Sequence, residues 1–166
     1  MTRDTQTLRA VLDTNVYLSG LLFGGRPAAL VSEGLFGSYR IVCSVPILSE
    51  FREKLEEKFG WLPKETQVLL QSLLPAMSIV DIPGSLHAVP ADPKDNPIIE
   101  TALVGNAGYV VTGDARLLRL RQYDEVCIVS IDQFFRLPQH QNAPVVRPRD
   151  EWLSNGHSVR GFALRM

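Results

Sequence analysis

The stretch Arg9-Ala10-Val11-Leu12-Asp13-Thr14-Asn15-Val16-Tyr17-Leu18 leaves this chain few ways to fold: an apolar run stops at a carboxylate and then resumes with helical spacing. Ala10 to Leu12 is too short for a core helix and suits a buried strand. Thr14 and Asn15 are residue types that cap helices, and Val16, Leu18, Leu21 and Leu22 repeat behind them at roughly helical intervals. Asp13 is thereby placed where a strand hands over to a helix. In open α/β sheets ligands bind at that carboxyl edge, where loops converge and helix N-termini point into the crevice. Asp13 is therefore the hub of any chemistry the chain carries.

The same alternation runs on. The first helix is expected to end near Gly24-Gly25, and Pro27 opens a second through Leu30, Val31, Leu35 and Phe36, stopped by Gly37. Arg40 to Ser44 is a short buried strand, and Ser44-Val45-Pro46 reads as a cap with proline in the first turn of a helix over Pro46 to Lys58. Ile47, Leu48, Phe51 and Leu55 form its apolar face, with Glu53, Glu56, Glu57 and Lys58 as a solvated one. Pro63 introduces another amphipathic segment, with Val68, Leu69, Leu70, Leu73 and Leu74, closed by Pro75. Met77 to Ile82 is a third strand. Turn chemistry over Ala91 to Asp95 leads to a helix with Asn96 as cap and Pro97 as its first residue, running to about Asn106. Gly108 to Thr112 and Val126 to Val129 are the fourth and fifth strands, separated by a helix with Leu117, Leu118 and Leu120, and Ile131 to Leu137 is a final helix. Strands alternating with helices predict a mostly parallel sheet covered on both faces.

With 166 residues and 45% hydrophobic content, the chain suits one core and not two. The expected division is a domain over 1–137 and an extension over 138–166 of uncertain order, where proline, glutamine, asparagine and arginine break the pattern. That tail still carries Trp152, Leu153, Val159, Phe162 and Leu164, and part of it is expected to dock on a protein surface. A net charge of −1 excludes a generally basic surface, so nucleic-acid binding would need a local patch. Cys43 and Cys127 lie in apolar runs, outside any metal-ligand spacing, and are expected to be buried free thiols. No apolar signal segment or membrane-length run is present, which predicts a cytoplasmic protein without membrane contact.

Asp13, Glu50, Asp95 and Asp114 each fall just after an expected strand or near the start of the next helix. A parallel sheet would bring them to one edge, where clustered carboxylates raise one another's pKa unless cations sit between them. Such oxygen ligands suit Mg²⁺ or Mn²⁺. An ion there can acidify a water and offset charge on a leaving oxygen, which fits phosphodiester hydrolysis. Taken singly, each acid is more at home as a helix cap than in a site. Their joint placement favours a site.

Val11-Leu12-Asp13-Thr14-Asn15-Val16, Ser44-Val45-Pro46-Ile47-Leu48-Ser49-Glu50, Asp92-Pro93-Lys94-Asp95-Asn96 and Val111-Thr112-Gly113-Asp114 resemble, in order, the motif blocks of PIN-domain nucleases. The resemblance spans Arg9 to Leu137 and is closest to the VapC-like toxin components of toxin-antitoxin systems, whose first block is often followed by a Gly-Gly-x-Pro turn, here Gly24-Gly25-Arg26-Pro27. It implies a three-layer α/β/α fold with a five-stranded parallel sheet flanked by helices, and a Mg²⁺- or Mn²⁺-dependent endoribonuclease. The acidic quartet would map onto Asp13, Glu50, Asp95 and Asp114, with Asn15 or Thr112 assisting. Asp92 competes for the third role, and spacing to the Thr101-Ala102 segment favours Asp95. The resemblance further implies an RNA substrate, a small antitoxin partner and a homodimer or higher oligomer.

Arg116, Arg119 and Arg121 follow Asp114 and are candidates to hold RNA phosphates; the alternative is a solvated basic face. His87, His140 and His157 form no zinc motif, and no Gly-rich phosphate loop is present. An aspartyl phosphatase would want a second aspartate where Asn15 stands. Two rival readings are a non-catalytic PIN scaffold binding RNA or protein, against which the complete quartet counts, and a stand-alone RNA-processing nuclease without an antitoxin.

Overall fold

The structure is a computed structural model, and it describes residues 7–87 and 93–138. Its elements follow in the order β1 (Arg9–Leu12), α1 (Thr14–Phe23), α2 (Gly25–Leu35), β2 (Arg40–Cys43), α3 (Val45–Phe59), α4 (Pro63–Leu73), β3 (Met77–Ile79), α5 (Asn96–Val104), β4 (Tyr109–Val111), α6 (Ala115–Leu120), β5 (Gln122–Tyr123), β6 (Val126–Val129) and α7 (Ile131–Phe135). Short 3₁₀ turns precede β3 and α5. The fold is three-layered, α/β/α, around a mostly parallel sheet of order β3-β2-β1-β4-β6-β5.

Five of these strands are the expected parallel ones. The sixth, β5, was not expected: two residues pair antiparallel with β6 through the turn Asp124-Glu125, Asp124 taking φ 50°. A two-residue strand carries no hydropathy period, so only the tight-turn geometry marks it. Strand three is shorter than Met77–Ile82, and α5 begins one residue earlier than expected, with Asp95 as its cap and Asn96 already helical. Cys43 is buried as expected, its thiol pushed up to about 11 by burial, whereas Cys127 near the sheet edge is only partly covered. Residues 139–166, and with them the tail's apolar side chains, His140 and His157, lie outside the described residues, as does Asp92.

The registers align the ends of the parallel strands. Leu12 sits beside Val111, Val11 beside Val42, Cys43 beside Ile79, and Val111 beside Val129. The next residues, Val80, Ser44, Asp13, Thr112 and Ser130, therefore form a row along the carboxyl edge, and the ladder continues into it: the Asp13 amide donates to Val111 O (2.9 Å) and the Thr112 amide to Val129 O (3.0 Å). The chain winds from β1 to β2 and β3 on one side, then returns to β4 on the other. The topological switch point, where an open sheet forms its ligand crevice, is thus between β1 and β4.

Side chains of β1, β2 and β4 are wholly buried at Ala10, Val11, Leu12, Ile41, Val42, Cys43, Val110 and Val111, as sheets covered on both faces require. Ile47, Phe51 and Leu55 of α3 bury the expected face, and Tyr17 of α1 packs its ring 5.5 Å from Phe51. The α1–α2 junction depends on two glycines. Gly24 turns the chain at φ 73°, and a Cβ on Gly20 would lie 3.1 Å from the backbone of Pro27 and Ala28, so its absence lets the two helices meet. Glu56, expected on a solvated face, instead accepts the Thr66 hydroxyl and ties α3 to α4 while pairing with Arg52. Among the described residues no helix is long and apolar enough to cross a membrane.

Candidate active site

Asp13 follows the last residue of the central strand and serves as the N-cap of α1, yet its side chain does not cap that helix. It turns to the neighbouring strand end, where Thr112 Oγ1 donates to Asp13 Oδ2 at 2.7 Å, fully buried. The Thr112 hydroxyl also accepts the Asp114 amide at 3.0 Å, so one buried threonine joins two of the four acids. Asp114 spends one carboxylate oxygen on the Arg116 amide at 2.8 Å, capping α6.

Glu50 reaches the same edge from α3. Thr14 Oγ1, in the first turn of α1, donates to Glu50 Oε2 at 3.0 Å, and Lys54 Nζ lies 3.1 Å from Glu50 Oε1. The charges of Glu50 and Asp13 interact. The Asp13 carboxyl is held above its ordinary range, first by burial and also by repulsion from Glu50, against the Thr112 hydrogen bond, the Lys54 charge and a backbone amide. Asn15 is exposed, its side-chain oxygen accepting from Lys54 at 3.1 Å.

Asp95 is buried at the N-terminus of α5, where the helix dipole favours an anion. Residues 84–86 beyond β3 are tied to α5 by Glu100, also buried, whose two oxygens accept the amides of Gly84 (2.6 Å) and Leu86 (3.0 Å). Ser44 does not cap its own helix but exchanges a 2.7 Å hydrogen bond with Thr101 inside α5, joining the end of β2 to that helix. Arg116 and Arg119 are exposed on α6 and Arg121 at its C-cap.

The structure thus couples Asp13 to Glu50 by charge, links Asp114 to Asp13 through Thr112, and sets Asp95 at the start of a helix that packs on β1 and β4. Among the described residues no three His, Cys, Asp or Glu side chains converge closely enough to hold an ion by themselves. The donor set still suits Mg²⁺ or Mn²⁺. Mg²⁺ is commonly held by one or two carboxylates, with waters and substrate phosphates completing the shell, and Asp13 and Glu50 supply hard oxygens whose mutual repulsion a cation relieves. Sequence reasoning gave Thr14 and Ser44 only capping roles and passed over Lys54 and Glu100. Lys54 was findable, four residues from Glu50 on one helix face; the others act through contacts between elements distant in sequence.

The fold places the chain among three-layer α/β/α proteins built on a mostly parallel sheet. The family model of the PIN domain matches residues 9–116, and the chain belongs to the PIN-domain family. Among solved structures it resembles a chain of the VapBC2 complex from Rickettsia felis, bound there to a DNA fragment from its promoter, with a TM-score of 0.53 and 16% identity over 74% of this chain and 98% of that one. That likeness is one of fold. No curated protein matches the sequence significantly.

Proposed function

We propose that this protein is a Mg²⁺- or Mn²⁺-dependent endoribonuclease, the toxin of a toxin-antitoxin pair. The observation that carries the reading is the buried Asp13 carboxylate at the β1–β4 switch point, oriented by Thr112 and facing the charge of Glu50. Burying a carboxylate beside a second one is costly unless a cation or substrate uses them, and perturbed acids in a crevice are a mark of functional sites.

In this reading Asp13 and Glu50 hold the ion, with Asp114 and Asp95 completing the acidic edge and Asn15, Thr112 and Asp92 in support. The ion, when bound, supplies an acidified water and a counter-charge for the phosphodiester. The protein's own part is orientation: the Thr112 hydroxyl fixes one oxygen of Asp13, and the Thr14 hydroxyl fixes one of Glu50. Arg116, Arg119 and Arg121 supply the local positive patch that a chain of net charge −1 needs to hold RNA phosphates. The VapBC2 complex supports an antitoxin partner by likeness of fold, and self-association and a cytoplasmic location accord with the same reading.

The test is cleavage of single-stranded RNA by the purified protein with Mg²⁺ or Mn²⁺, with and without a small protein encoded beside it. Asp13→Asn should lower the rate about a hundredfold or more while the protein stays folded. Cleavage by the variant at the wild-type rate would remove Asp13 from the chemistry. Activity that no small neighbouring protein suppresses would leave a stand-alone nuclease.

A further inference from the structure

A cation already stands among the acids. Lys54 lies four residues beyond Glu50 on α3, with its Nζ 3.1 Å from Glu50 Oε1 and its side chain 23% exposed. The same nitrogen donates to Asn15 Oδ1 at 3.1 Å, a contact 39 residues away in sequence. Its charge is also felt at Asp13, where it opposes the repulsion from Glu50. An ordinary helix-surface pair has none of the last two features. Arg52 on the same helix shows the contrast, its side chain pairing with Glu56 at 3.0 Å within the helix.

We propose that Lys54 is the resident counter-ion of the metal-free site, holding Glu50 and Asn15 in place and withdrawing when a divalent cation binds. The inference rests on Asp13 and Glu50 being the ion's ligands. An ammonium in contact with Glu50 and a divalent cation on the same carboxylate repel each other, so the two occupancies are alternatives. Lysine suits the role because its compact charge rides on a flexible stem that can swing to solvent, which a forked arginine does less readily. The consequence is a threshold: the lysine sets how much divalent cation the site needs before it loads.

The experiment uses the full-length protein stripped with chelator and titrated with Mg²⁺ and with Mn²⁺ by calorimetry, alongside metal-free melts. Lys54→Met and Lys54→Gln should bind the divalent ion about five- to tenfold tighter than wild type and melt lower without metal. Lys54→Arg, keeping the charge on a less readily displaced fork, should bind no tighter than wild type, and Arg52→Met should leave affinity unchanged. Unchanged or weaker binding in both neutral variants, or an equal gain in Arg52→Met, overturns the role of Lys54 and leaves the ligand assignment standing. A wild type that takes up neither ion overturns both together.

Discussion

Asp13 sets burial against charge. Only 5% of it is exposed, and its carboxyl is raised above the ordinary 3.8, chiefly by that burial. For a carboxyl whose folded-state pKa exceeds its unfolded one, the favourable contribution is complete below the unfolded value. It is lost as pH rises through the folded value, so ionised Asp13 weakens the metal-free fold at neutral pH. Asp13→Asn keeps an oxygen to accept from Thr112 and removes the charge. The metal-free variant is expected to be more stable than wild type at neutral pH by about 1 kcal/mol, the gain fading as pH falls toward about 4. Melts in chelator across that range check it; a variant less stable than wild type at neutral pH would mean that the hydrogen bond to the charged form outweighs burial.

At the scale of elements, residues 84–86 beyond β3 hang on Glu100. Two backbone amides, of Gly84 and Leu86, point at one buried carboxylate, and an alanine there would leave both donors without it. Glu100→Ala should cost about 2–4 kcal/mol, and Glu100→Gln, retaining one acceptor, roughly half as much. Denaturant unfolding measures the loss, and amide exchange at residues 84 and 86 shows whether it is local. An alanine variant within about 0.5 kcal/mol of wild type would mean that the tether contributes little. The elements themselves were largely legible in the sequence: β6 spans the expected Val126–Val129, and α3 buries the expected Ile47, Phe51 and Leu55. Hydropathy periods encode such faces because burial selects them. They do not encode β5, whose two residues are held by hydrogen bonds to β6, nor the partner of Glu56, which lies on another helix.

For the whole molecule, metal binding should register as global stability. A ligand that binds only the folded state raises its stability by mass action. Saturating Mg²⁺ or Mn²⁺ is expected to raise the wild-type melting temperature by several degrees, a shift that is much smaller in Asp95→Asn and that Asp92→Asn largely keeps. Equal losses in the two variants would leave the choice of Asp95 without support. Asp95 itself is buried at the N-terminus of α5, a helix that packs on β1 and β4.

Asp13 at the end of a strand, Glu50 one turn and more into α3 and Asp114 before α6 could be placed from local pattern alone, because a strand-to-helix change of period is written in neighbouring residues. The PIN motif blocks could be recognised for the same reason, and the family match over residues 9–116 agrees. Which strand ends lie side by side is another matter. The order β3-β2-β1-β4-β6-β5 brings Asp13 next to Thr112, 99 residues on, and stations Lys54 against Asn15. Hydrogen bonds between residues so far apart leave no period in the sequence, and only the packed sheet decides them.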